Sequence, residues 1–537
     1  MLSAHQPGAA DSQAWPFWNS AAPRAQKLLG IAVLLIVATG LFLRVRGYLF
    51  RVPAFWLDEC GWAMLLVEQP LSELSIRPMG FIITSQIMAR LFGLTEMTLR
   101  ALPWLAGMAT TVLAVPLARE LFRTYAARLL FVFVIALHPC AIDFSKEFKP
   151  YSVSLFLHMS LVLFTLLYLR TGLGKHLGWT LATAAVGGFF AQDLIFAFPA
   201  VFVLTGLAAL HVKRAHVYAV VAVAGVILLS LGAQYLLMWR YVTTQEVDNW
   251  ATKYSVFYSP DSGETPASWA LKHYLDMSGF PGFRRALWNP GPVSHETLSS
   301  LALVDRVVWA CLHFVGLFVL LRQRRREAVL LLVPLATLWL FNLLRLWPIG
   351  VFRANLFVVG YMAAIASMAL DGGKRALPRL WDALPALLLV FLPVALLDRA
   401  WSVRKQALTY SSEFPSALDE LLKLKRADGN GRETLLLDRR SCDPFRYYTE
   451  FHPTVRARVR DLLKAQFDVR CIEKDPPFSA ETNAATPAPP GEVWEILHAD
   501  RPLRDTIRHH RLASGRMRHE SRVGAHYVIA FSRKGQQ

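Results

Sequence analysis

Asp58 and Glu59 stand side by side in Phe55-Trp56-Leu57-Asp58-Glu59-Cys60-Gly61-Trp62, directly after the first long apolar run of the chain. A carboxylate where a membrane helix leaves the bilayer can take a proton from an attacking hydroxyl, and the two tryptophans flank the pair as aromatic interface anchors. Taken alone, two acids fit a solvated loop equally well. Their weight comes from the polar residues that the span pattern places on the same side. These are Arg77, then Asp143-Phe144-Ser145-Lys146-Glu147-Phe148-Lys149-Pro150-Tyr151, then Gln192-Asp193, and finally Arg345 and Arg353. Charge at span ends is costly unless paired, solvated or useful, so a converging set marks a functional site.

The basic members run against the orientation signal of a membrane protein. Arg353 begins a span whose other end already carries Lys374 and Arg375. A guanidinium at headgroup depth grips a phosphate through two parallel hydrogen bonds, where a lysine acts as a point charge. Arg77, Lys149 and Arg353 are therefore candidates to hold an anionic lipid phosphate. Together with the carboxylates they describe displacement at such a phosphate. Asp58 or Glu59 takes the proton of the acceptor, and the cations stabilise charge on the departing group. A divalent ion bridging carboxylate and phosphate, with Asp58 and Glu147 as its ligands, stays open, although no His-x-x-x-His or Cys-x-x-Cys spacing occurs.

The elements that must position these groups are membrane helices. Of the 537 residues 54% are hydrophobic, the mean hydropathy is +0.35, and repeated runs are long enough to cross a hydrocarbon core. The net charge of +18 sits in short clusters between those runs, which is how orientation is fixed and argues against a nucleic-acid partner. Apolar spans are expected near 28–49, 100–122, 127–142, 151–170, 177–192, 194–212, 216–238, 301–321, 328–344, 351–370 and 380–398, eleven in all. Residues 1–26, without a cleavable signal pattern, form a cytoplasmic tail before the transmembrane module 27–400. The short inner loops then hold Arg119, Arg123 and Arg128, Arg170 and Lys175, Lys213 and Arg214, Arg322 to Arg326, and Lys374 to Arg379.

Two long outer loops, about 50–99 and 240–300, interrupt the spans; the first is amphipathic and suits helices lying in the interface. From 401 to 537 the composition turns soluble. Strands are expected at 434–438, 493–497 and 525–531, with a helix starting at Pro444, which makes a small extracytoplasmic α/β domain. Cys442 and Cys471 lie there, either paired or free. Cys140 and Cys311 sit in or beside apolar runs and are expected to pack.

With these motifs in order, the chain from 28 to about 400 resembles the GT-C superfamily of polytopic glycosyltransferases, in the bacterial branch similar to protein O-mannosyltransferases and aminoarabinose transferases. The carriers are Leu57-Asp58-Glu59, Arg77-Pro78-Met79-Gly80-Phe81, Phe92-Gly93 with Leu99-Arg100-Ala101-Leu102-Pro103-Trp104, Ser145-Lys146-Glu147-Phe148-Lys149-Pro150-Tyr151-Ser152, and Trp347-Pro348 ahead of Arg353. The resemblance implies a polyprenyl-phosphate sugar as donor and an extracytoplasmic lipid, glycan or protein as acceptor. It also implies a site on the outer face of a bacterial inner membrane. By motif position Asp58 takes the catalytic role with Glu59 beside it. Arg77, Asp143, Glu147, Lys149, Tyr151 and Arg353 line the donor side. Met79 stands where the family has a second proline, and Tyr447-Tyr448 matches a pattern in the C-terminal domain of some members. Two other readings remain: a ligase or polymerase of lipid-linked oligosaccharide, and a polyprenyl-lipid transporter or flippase. A transporter calls for matching helix breaks in two halves, and Gly187-Gly188 with Pro199 gives one break without a counterpart.

Overall fold

The computed structural model describes residues 23–50, 54–68, 77–237, 257–259, 263–278, 300–349, 353–372, 414–428, 432–437, 439–471, 493–498, 515–523 and 526–533. The chain is a polytopic helical membrane protein with a small C-terminal sheet. Its first helices are α1 (Pro23–Val45), α2 (Leu57–Glu68), α3 (Met79–Phe92), α4 (Glu96–Leu121), α5 (Tyr125–Leu137), α6 (Pro139–Phe144) and α7 (Tyr151–Thr171). There follow α8 (Gly174–Phe190), α9 (Phe198–Val212), α10 (Arg214–Leu237), α11 (Pro266–Ser278), α12 (Ser300–Gln323), α13 (Arg325–Leu343) and α14 (Val358–Gly372). Four of these, α4, α7, α10 and α13, are long and apolar enough to cross a membrane by length and composition. Each expected span as far as 351–370 falls on a helix; the last, 380–398, lies outside the described residues, as does most of 240–300.

Helices α5 and α14 are apolar around nearly their whole circumference and form the centre of the bundle, where Leu129 to Leu137 and Leu356 to Leu370 are buried. Around them α10 exposes Val221, Leu228, Leu229 and Leu236, the pattern of a helix facing lipid. Thr95 and Thr124 cap α4 and α5, each side chain accepting from a backbone N–H one turn on. At the end of the bundle away from Asp58, the Asp371 carboxylate accepts from the Arg123 and Thr124 amides at 2.6 and 2.8 Å and pairs with Arg324 at 2.7 Å. One acid thereby ties three helix ends together. Cys140 is buried as expected, whereas Cys311 on α12 is exposed.

The C-terminal residues form α15 (Phe414–Asp428), β1 (Glu433–Leu437), α16 (Arg439–Arg446), α17 (Pro453–Gln466), β2 (Phe467–Cys471), β3 (Val493–His498), β4 (Gly515–Val523) and β5 (His526–Arg533). The sheet order is β2-β1-β3-β5-β4, with β1 parallel to β2 and β3, and β5 antiparallel to β3 and β4. The three foreseen strands occur. Strands β2 and β4 were not foreseen, and the helix expected to start at Pro444 starts five residues earlier. Cys442 and Cys471 are joined in a disulfide with Cα atoms 5.9 Å apart.

Candidate active site

The corner around Asp58 begins with helix capping. Trp56 precedes α2, Asp58 and Glu59 occupy its first turn, and the Glu59 carboxylate reaches back toward the Trp56 amide at 3.4 Å, as the acidic half of a capping box does. Acids are favoured there by the helix dipole. Glu59 is completely buried. It receives the Arg100 Nε at 2.8 Å and Nη2 at 2.5 Å, and the Phe148 amide at 2.6 Å. That single carboxylate therefore fixes α2 to α4 and to the 145–150 connection. Gly107 brings the connection still closer to α4, since a Cβ there would lie 2.4 Å from the Ser145 Cβ.

Asp58 points the other way. Its carboxylate pairs with the Arg353 guanidinium, 295 residues along the chain, on the three-residue turn Arg353–Asn355 that leads into α14. Both side chains keep about a third of their surface accessible, 30% for Asp58 and 27% for Arg353, so the pair sits in an opening. The Lys149 ammonium lies 3.5 Å from the Asp58 backbone carbonyl and 4.0 Å from the centre of the Trp62 ring. Arg77 lies over the same ring at 4.6 Å, and Arg353 over Trp56 at 5.3 Å. Two tryptophans thus hold three cations beside one acid.

Burial decides the charge state of the 145–150 connection. Lys149 is 2% exposed, and its ammonium is pushed down to about 7 by burial, with Asp58 working against that fall. Glu147 is pushed up to about 8, first by burial and then by the nearby Glu59 carboxylate. Its Oε2 is buried with no hydrogen-bond partner among the described residues. Tyr151 opens α7 with its ring edge-on to Phe144 at 5.3 Å; together with Asp58 and Glu147 it faces the Arg353 charge.

Of the residues singled out from sequence, Asp58, Arg77, Glu147, Lys149, Tyr151 and Arg353 come together. Asp143 is buried on α6 and pairs with Lys146 at 3.5 Å, a local contact one turn away. Arg100 was quoted as part of a motif but not as a functional residue. A lone arginine one turn inside an apolar helix was the signal for it. As to a metal, the Asp58 carboxylate is engaged by Arg353, and no set of three or more His, Cys, Asp or Glu is grouped as ligands among the described residues.

A second set of contacts comes from the C-terminal residues. The Phe55 amide donates to the Tyr448 hydroxyl at 2.6 Å, and that hydroxyl donates to Glu96 on α4, also at 2.6 Å. His452 Nε2 meets the other Glu96 oxygen at 3.0 Å, Tyr447 donates to the Leu94 carbonyl at 3.0 Å, and Arg446 pairs with Glu68. The Tyr447-Tyr448 pair is therefore a buried junction under the acidic corner.

Fold and corner together define an integral membrane protein with a charged, partly exposed corner at one end of its bundle. Among solved structures the chain is similar to ArnT from Cupriavidus metallidurans bound to undecaprenyl phosphate, at 13% identity and a TM-score of 0.45, covering 95% of this chain and 98% of that one. It is also similar to the apo form of the Archaeoglobus fulgidus oligosaccharyltransferase, at 12% identity and a TM-score of 0.39, over 75% of this chain. The chain spans 62% of that protein's length. No family model and no curated protein matches the sequence.

Proposed function

We propose that the protein is a membrane glycosyltransferase that moves a sugar from a polyprenyl phosphate to an acceptor on the extracytoplasmic side. The observation that carries this reading is the meeting of Asp58 with Arg353, beside Lys149 and Arg77, in an accessible corner. An acid poised to take a proton and cations poised to take a phosphate lie within one pocket. The basic loops at the opposite end, with Arg123, Arg128, Arg170 and Arg324, support a cytoplasmic side there by the positive-inside rule.

Asp58 removes the proton from an acceptor hydroxyl, whose oxygen forms the new bond to the anomeric carbon. The bond from that carbon to the phosphate oxygen breaks on the far side, and its electron pair leaves with the polyprenyl phosphate. The anomeric centre is inverted. Arg353, Lys149 and Arg77 stabilise the charge that develops on the leaving phosphate. Glu147, protonated at neutral pH, donates a hydrogen bond to the same phosphate rather than repelling it. In the absence of donor, Arg353 is neutralised by Asp58; an arriving phosphate takes over the guanidinium and frees the base. Glu59, saturated by Arg100 and two backbone amides, acts as a positioning residue.

The test is incubation of the purified protein with radiolabelled polyprenyl-phosphate sugars and membrane extract, following which fraction becomes labelled. Absence of label from every donor rejects the reading. Within that assay Arg353→Ala should raise the apparent KM for donor at least tenfold, the loss of a charge-assisted bond worth about 1.5–3 kcal/mol.

The pH dependence follows from Lys149. Its pKa lies below that of a free lysine, so the cation is present below about pH 7 and lost as pH rises through that value. Donor KM should therefore climb between about pH 6.5 and pH 8.5. Lys149→Arg, charged throughout this range, should remove the part of the climb near pH 7 and leave the part near pH 8 where Glu147 loses its proton; a wild-type KM that is flat over the same interval removes Lys149 from phosphate binding.

A further inference from the structure

Beneath the charged corner lies a second polar group that the reaction above does not use. Tyr151, Ser154 and His158 fall at i, i+3 and i+7, one face of α7. The stripe that starts in the pocket thus runs two turns into the bundle. At its lower end Ser154 donates to Asp193, a buried acid on the turn Gln192–Phe196 between α8 and α9. His158 Nδ1 shares a hydrogen bond of 2.8 Å with the Tyr361 hydroxyl on α14, and its ring lies flat on Phe357 with centroids 4.4 Å apart. The ring is completely buried. Its Nε2 faces an Asp193 oxygen at 4.0 Å, beyond hydrogen-bond distance, and has no hydrogen-bond partner among the described residues.

Phe357 and Tyr361 are four residues apart and face the same side of the chain entering α14, and Arg353 stands one turn ahead of Phe357. His158 therefore grips the Arg353 segment at two points, by stacking and by a directional bond. The far side of that segment is also fixed. Phe196 closes on Phe357 at 5.9 Å, and the Asn355 amide bonds the Trp347 indole and the Pro348 carbonyl, each at 3.0 Å. An imidazole in an apolar bundle costs desolvation that a leucine does not. What it adds is a fixed rotation of the chain entering α14, which dispersion contacts alone do not set.

We propose that His158 is a positioning residue for donor binding: through Phe357 and Tyr361 it sets where the Arg353 guanidinium stands relative to Asp58 and the lipid phosphate. The proposal rests on the reading of Arg353 as a phosphate ligand.

The experiment is a double-mutant cycle on binding of a polyprenyl phosphate, without sugar, to the full-length protein in detergent. His158→Leu should raise Kd about tenfold and Arg353→Ala at least as much, while the double variant should bind no more than about twofold worse than Arg353→Ala. His158→Asn, whose amide can reach the Tyr361 hydroxyl, should recover most of the loss. Tyr361→Phe, which deletes a single oxygen, completes a second cycle should His158→Leu fail to accumulate. Losses that add in both cycles, or a His158→Leu variant that binds as the wild type does, overturn the proposal while leaving the donor reading intact. A wild-type protein that does not bind the lipid overturns both.

Discussion

Asp58→Asn is expected to lower sugar transfer by a factor of about a hundred to ten thousand, the range a positioned general base supplies. The amide keeps the size of the side chain and can still accept from Arg353, so membrane insertion and thermal stability should stay near wild type. The sign of the binding effect separates this role from a purely structural one. With no anion opposite it, Arg353 is released to the donor, so polyprenyl phosphate should bind Asp58→Asn at least as tightly as the wild type. Transfer that persists in the variant would show that another group takes the proton.

Glu59→Ala should fail differently, by loss of the folded protein. Removing one partner of a buried ion pair strands the other, at a cost of about 3–5 kcal/mol. Here the stranded group is Arg100, whose side chain is 3% exposed. The Phe148 amide and the hold on the 145–150 connection go with it. Thermal unfolding in detergent should show a large drop in midpoint for Glu59→Ala, and Arg100→Ala should match it. Were Glu59→Ala to fold with wild-type stability and lose turnover alone, the acid would belong to the chemistry and not to the scaffold.

The contrast between these neighbours shows what could and could not be read from the chain. Asp58, Lys149 and Arg353 were legible because residue type and position at a span end already carry an energetic argument: charge there needs a reason. Adjacent acids in a sequence look equivalent, however, and the opposite duties of Asp58 and Glu59 depend on a partner 41 residues away on α4. Asp143 looked like a member of the corner for the same reason, and it pairs with Lys146 on its own stretch of chain. The membrane helices were legible because a bilayer demands long apolar runs. Strands β2 and β4 were not: β2, Phe467-Asp468-Val469-Arg470-Cys471, does alternate apolar and polar residues but over only five positions, too few to stand out, and β4, Gly515–Val523, is rich in Arg, His and Glu and lacks an apolar stripe. Asp193 was legible beside Gln192 as a polar residue at a span end, but its neighbour His158 was not, since it lies mid-helix in an apolar run and only the fold brings the two within 4.0 Å.

The bond from the Phe55 amide to the Tyr448 hydroxyl links two points 393 residues apart. A ribosome delivers them in that order, so the segments carrying Asp58 and Arg353 are made well before Tyr448. The support that Tyr448 gives the corner arrives only after residues 57–372, which carry the rest of it, have been made. A chain cut short before Tyr448 would therefore lack this brace on the acidic corner, however well its helices had formed.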